Sequence, residues 1–247
     1  MPRVLWSDEA NFLFAMSAAP AGAATWKSQL LAGHVDAGVA ATAGVLLGLL
    51  IRHTWGDAEM ERRYGDQTAF DQLRIDPYYR TIARRRPEVA EQVRELIAES
   101  AARRVSLVHG DWSPKNFLVQ GGQVTVIDFE VIHYGDPSFD AAFCLNHLLL
   151  KCFRRPEHAG RYLEAARVFY AWLEGLLPAG ATAWFESATA RHLGCLMLAR
   201  VDGKSPVEYI IEEALRATVR AVAVRLIRES GGRLERCYTL VEEALPR

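Results

Sequence analysis

The sequence predicts an α+β protein that is predominantly helical and carries one small β-hairpin near its middle. Three observations predict it. The clearest alternating apolar stretches flank a single Gly121-Gly122 pair, and Gly-Gly between such stretches is a tight hairpin signal. A long apolar run from Ala37 to Ile51 has helical length, and from Pro137 onward the periodicity is helical, with breaks near Pro156, Pro178-Gly180, Gly203–Pro206 and Gly231-Gly232. Half of the 247 residues are hydrophobic and 24% are charged, which excludes gross disorder and allows a real core.

In chain order, Arg3–Trp6 and Phe12–Met16 read as two short strands with Asp8, Glu9 and Asn11 between them. Residues 1–20 form one segment, and the helical body spans 21–247. Trp26–Leu31 is a short helix that Gly33 stops. Asp36 can N-cap a helix running to about Arg52. Residues 62–102 are charged and amphipathic, with Pro77 and Pro87 placed as helix-starting prolines. Val105–Val108, Phe117–Val119 and Val124–Ile127 are strands, the last two forming the hairpin.

Composition narrows the partners. The net charge of −1 gives no reason to expect nucleic acid. The Ala37–Ile51 run is 15 residues long and holds three glycines, short of a membrane span, so no membrane partner is expected. The N-terminus has no signal-peptide apolar region. Cys144, Cys152, Cys195 and Cys237 form no C-x-x-C pair and read as reduced, buried thiols of a cytoplasmic protein. Of 29 basic residues only Lys27, Lys115, Lys151 and Lys204 are lysines.

Chemistry concentrates around the hairpin. His109-Gly110-Asp111-Trp112-Ser113-Pro114-Lys115-Asn116 precedes it and Asp128-Phe129-Glu130 follows it. With Gly121-Gly122 as the turn, Asn116 and Asp128 stand nearly opposite each other at its open end, where both can reach one cation. An Asp carboxylate and an Asn carbonyl suit Mg²⁺. Asp111, in the entering loop, is free to point at the same spot. Phosphoryl transfer needs those parts: oxygen ligands for a divalent metal, and a carboxylate that orients the acceptor hydroxyl and takes its proton.

The pattern H-G-D, four residues, Asn, then D-F-E resembles the aminoglycoside phosphotransferase/choline kinase family, whose fold is similar to that of protein kinases. The resemblance implies that Asp111 is the catalytic base, that Asn116 and Asp128 are Mg²⁺ ligands, and that His109 is structural. The run Gly135-Asp136-Pro137-Ser138-Phe139-Asp140 also resembles the family, with Asp140 bracing the loop. Phe12–Met16 resembles the hinge strand between the two lobes, which places Met16 beside the nucleotide. Lys115, inside the catalytic loop, is expected to contact ATP phosphate or to be simply exposed. Trp112 is expected to pack or lean on a substrate, and Glu130 to touch metal or brace a loop.

By that resemblance the chain is a hinge plus a kinase-like C-terminal lobe, with no N-terminal lobe before Phe12. No glycine and no lysine stands among residues 1–11. A truncated reading frame and a genuine lobe-deficient relative both account for this. The function implied is ATP- and Mg²⁺-dependent phosphorylation of a hydroxyl on a small-molecule alcohol, with activity of this chain alone in question. The alternative is a non-catalytic module that self-associates through the uncovered interlobe face. Arg200–Pro206 reads as a solvated turn or a rim of the acceptor site. Glu208, Glu212, Glu213 and Tyr209 read as a solvated face or as a subsite for a cationic acceptor.

Overall fold

The computed structural model describes residues 2–229 and 231–246. The chain opens with an antiparallel hairpin, β1 (Val4–Asp8) and β2 (Leu13–Met16), which pairs Trp6 with Ala15 and Asp8 with Leu13. Each strand lies one or two residues from its predicted position. Asp8 ties the turn by accepting from the backbone and the amide of Asn11. Phe12 takes a left-handed φ of 54° in that turn instead of joining β2. Val4, Leu5, Trp6, Leu13, Phe14 and Met16 are all at least half exposed, and Phe12 is 93% exposed.

A strand that escaped the sequence reading follows. β3 (Ala24–Thr25) pairs with β5 (Phe117–Gln120), which forms the central hairpin with β6 (Gln123–Val126). Two residues carry too little alternation to show as a strand. Gly121 and Gly122 both have positive φ, 54° and 79°, as the two-residue turn requires. β4 (Ser106–Val108) is not part of this sheet. It pairs with β7 (His133–Gly135), a second unanticipated strand, so two small sheets replace the one central β segment.

The helices α1 (Trp26–Leu31) and α2 (Ala37–Thr54) fall where expected. Asp36 Oδ1 caps α2 by accepting from Gly38 N at 2.7 Å. At 18 residues α2 outruns the 15-residue apolar run, and it is long and apolar enough to cross a membrane by length and composition. Its inward face packs against α8 (Ala159–Glu174). A Cβ on Gly44 would sit 2.2 Å from the Phe169 carbonyl, so this crossing requires glycine.

After α3 (Ala58–Tyr64) comes a departure from prediction. Pro77 does not start a helix. It lies inside a ten-residue π-helical stretch, Asp71–Arg80, flanked by α4 (Thr68–Phe70) and α5 (Thr81–Arg85). An α-helical proline at 77 would leave the Leu73 carbonyl without a donor, and here Arg74 Nη1 donates to it at 3.0 Å. Pro87 does start a turn, a 3₁₀ turn leading into α6 (Ala90–Ala102). The centre of the molecule is α7 (Ser138–Arg154), buried from Ser138 to Phe153. It lies between α8 and α9 (Phe185–Asp202), with α10 (Glu213–Glu229) and α11 (Leu234–Glu243) completing the helical side. All four cysteines are free and buried.

Candidate active site

The loop between β4 and β5 is held from below by α7. Asp140, in the first turn of α7, accepts from His109 N at 2.6 Å and Gly110 N at 2.9 Å, one donor per carboxylate oxygen. This is the bracing role the sequence suggested. Gly110 has φ 77°, and a Cβ there would lie 2.8 Å from Val131 Cγ2. Both the left-handed backbone and the close approach call for glycine in this motif.

His109 links the two halves of the motif. The Asp111 N–H donates to His109 Nδ1 at 3.2 Å, so the proton sits on Nε2 and is given to the Ile127 carbonyl at 3.1 Å. Burial holds the imidazole below its ordinary value, which fits a neutral ring. One side chain thereby spans from the residue bearing the candidate base to the residue before Asp128. Trp112 is buried and packs edge-on against Phe117 and His109, so its role is packing.

Asp111 is 2% exposed. Its Oδ2 meets Arg74 Nη2 at 3.0 Å and Lys115 Nζ at 2.8 Å. Its Oδ1 is buried without a hydrogen-bond partner. Burial pushes this carboxyl up, but the Arg74 guanidinium and the Lys115 ammonium outweigh it and hold it below the usual carboxylate range. Asn116 is also buried. Its Nδ2 donates to the Asp111 carbonyl at 3.0 Å, which leaves the amide oxygen as its metal-type donor. The Ile127 N–H donates to the Asn116 carbonyl at 3.0 Å, so Asn116 and Asp128 do flank the open end of the hairpin.

Asp128 is exposed and has a φ of 71°, unusual for a residue with a Cβ. Its side chain makes no hydrogen bond or ion pair with the described residues. Among those residues, no group of three His, Cys, Asp or Glu could hold a metal by itself. Two oxygen donors beside a phosphate site are what Mg²⁺ uses, since it keeps waters and substrate oxygens in its shell. Met16 ends β2, opposite Val4, and no described hydrogen bond joins it to the catalytic loop.

Arg74 is the site residue the sequence did not disclose. Besides its pairing with Asp111, its Nε donates to the Gly110 carbonyl at 2.7 Å. It is one arginine among many, and only the π-helical stretch turns it toward a loop far along the chain. A cavity of about 330 Å³ opens over Asp111, lined among others by Lys27, Arg74, Lys115, Glu130, Arg200 and Glu208. The loop after α9 therefore does rim the site.

The model of the phosphotransferase enzyme family matches residues 1–174, more than half of the chain and the whole span from β1 to the end of α8. The chain belongs to that family. The elements after residue 174, including Arg200 and Glu208, lie outside the matched span. Among solved structures, this family member is similar to a choline/ethanolamine kinase family protein from Mesorhizobium loti, at 18% identity and a TM-score of 0.45, over 98% of this chain and 78% of that one. No curated protein matches it. The predominantly helical body with few strands, expected from the sequence, is the fold of this phosphotransferase family member.

Proposed function

We propose that the chain transfers the γ-phosphoryl group of ATP to a hydroxyl of a small molecule. The observation that carries this reading is the state of Asp111. One carboxylate oxygen is tied by two cations, the other is buried without a hydrogen-bond partner among the described residues, and the residue lines a small cavity. A general base needs a free oxygen within hydrogen-bond reach of the hydroxyl it serves.

In this reading the acceptor hydroxyl donates to Asp111 Oδ1. Its oxygen forms a bond to the γ-phosphorus, the bond from that phosphorus to the ADP oxygen breaks, and the hydroxyl proton passes to Asp111. Arg74 orients the carboxylate, and the loop geometry set by Asp140 and His109 keeps it in place. Lys115 is close enough to leave Asp111 for a phosphate oxygen. Asn116 and Asp128 would hold Mg²⁺, which when bound neutralises charge on the phosphates. Met16 lies on the hinge-like strand and would line the nucleotide.

The test is acceptor-dependent ADP release in a coupled assay. Asp111→Asn should lower the rate by about 100-fold or more. Its thermal melt by circular dichroism should fall, because Asn leaves the buried Arg74 without its carboxylate, so the rates are compared at a temperature where the variant is still folded. Undiminished turnover in that variant would remove Asp111 from the mechanism. A second reading, a non-catalytic self-associating module, is favoured by the exposed apolar hairpin β1–β2. A single monomer species in sedimentation velocity at rising concentration would overturn it.

A further inference from the structure

The charge of the cavity over Asp111 indicates which alcohol fits. Of the four lysines in the chain, Lys27 and Lys115 line it, together with Arg74 and Arg200. Three of these four cations are already answered. Lys27 pairs with Glu208, and Arg74 and Lys115 share Asp111.

Arg200 is different. Its Nη1 donates to the Tyr78 hydroxyl at 2.9 Å, to the Ser205 carbonyl at 2.7 Å and to the Ser205 hydroxyl at 3.1 Å. Its guanidinium lies over the Tyr78 ring at 5.7 Å. No carboxylate among the described residues pairs with it, and its Nε is buried without a partner. A guanidinium held rigidly by neutral groups at a cavity wall is an oxyanion receptor.

His147, a buried residue lining the same cavity, lies in the same field. Burial and then the charges of Arg200, Lys151, Lys27 and Lys115 hold its ring well below the ordinary value. Lys151 behind it is buried with no carboxylate partner, its ammonium donating to the His147 carbonyl at 2.8 Å. Among the acidic residues near it, Glu208 is bound to Lys27 and Glu213 pairs with Arg216 and Arg220, while the Tyr209 ring faces Lys151 at 5.4 Å; Glu130, at the rim of the cavity, and Glu212 have no ion pair among the described residues.

We propose that the acceptor is a small alcohol bearing an oxyanion, either a carboxylate or a phosphate ester. Arg200 anchors the anion, Lys27 turns to it from its solvent-exposed pairing with Glu208, which costs little to break, and the hydroxyl reaches Asp111 Oδ1. This rests on the phosphotransfer reading for the role of Asp111, while the anion site stands on its own residues.

Isothermal titration of the full chain with glycerate, glycerol 3-phosphate, glycerol and choline tests it. Glycerate, glycerol 3-phosphate or both should bind, and glycerol and choline should not. Binding of glycerate alone identifies a hydroxy acid site, and binding of glycerol 3-phosphate alone a phosphate ester site. Arg200→Gln should weaken the anion by about tenfold or more, the worth of a hydrogen bond to a charged group. Arg200→Lys should weaken it less. Lys27→Gln provides a second variant should Arg200→Gln melt early by circular dichroism. Preference for choline, no anion binding, or anion binding unchanged in both glutamine variants overturns the proposal. Asp111→Asn, which leaves Arg74 and Lys115 unanswered in the same cavity, should not weaken the anion. Anion binding without phosphoryl transfer would therefore sink the phosphotransfer reading and leave the anion site standing.

Discussion

Asp140 and His133 show how single buried groups set the response of the molecule to pH. His133 sits in β7, with Nδ1 donating to the Val131 carbonyl at 3.0 Å and its ring 4.1 Å from Phe70. Burial lowers it to about 4 from 6.5, so it is neutral in the folded protein. The unfolded chain takes up its proton first as pH falls, so this contribution is complete above pH 6.5 and is lost between 6.5 and about 4. A shift of that size corresponds to about 3 kcal/mol. Asp140 titrates in the opposite sense, because burial pushes it up to about 7. The wild-type curve alone therefore does not isolate His133. The stability difference between wild type and His133→Gln, from urea unfolding at several pH values, should fall in the wild type's disfavour by roughly that amount across the window. A flat difference would show that the ring titrates as it does in the unfolded chain. At the same scale, Asp111, Asn116 and Asp128 were legible as candidates because their spacing is local: loop, hairpin and turn set their order along the chain, and the Asn116 carbonyl accepts from Ile127 N beside Asp128. Arg74 was not, because Gly110 and Asp111 lie far along the chain from it and no periodicity records such a meeting; Arg200 was legible only as part of a loop that could rim the site.

The elements follow the same division. α1, α2 and the central hairpin announce themselves through caps and turns: Thr25 and Asp36 accept from backbone N–H groups, and two glycines adopt positive φ. β3 and β7 are too short to carry a pattern and exist because a neighbouring strand supplies their hydrogen bonds. The π-helical stretch misled the reading of Pro77, since the Leu73 carbonyl there is served by a side-chain donor within the stretch, Arg74, and the proline does not mark a helix start. The tightest contact between elements is α2 against α8. Gly44→Ala should push the two helices apart and cost about 1–3 kcal/mol or more, read as a lower urea midpoint with an unchanged slope. A variant as stable as the wild type would mean that the helices re-pack freely at Gly44.

At the scale of the whole molecule the core is continuous from α1 to α11, while β1–β2 presents apolar side chains to solvent on both strands. Such a two-stranded ribbon has unpaired edges and little burial to hold it. Replacing Trp6, Phe12 and Phe14 together by Ser should reduce fluorescence of a dye specific for apolar surface and any concentration-dependent self-association. The melting temperature of the body should move by no more than a few degrees. A large fall in melting temperature would mean that the hairpin is part of the folding unit.

The sequence by itself determined the family and the helical class and singled out Asp111, Asn116 and Asp128 as candidates, because these readings depend on side-chain types at short, regular spacing. Only the tertiary structure decided which cations surround the base and which carboxylates are already spent. Those pairings join segments brought together by burial of the apolar helix faces. Charge balance in a cavity is a sum over neighbours in space that the order of residues does not encode.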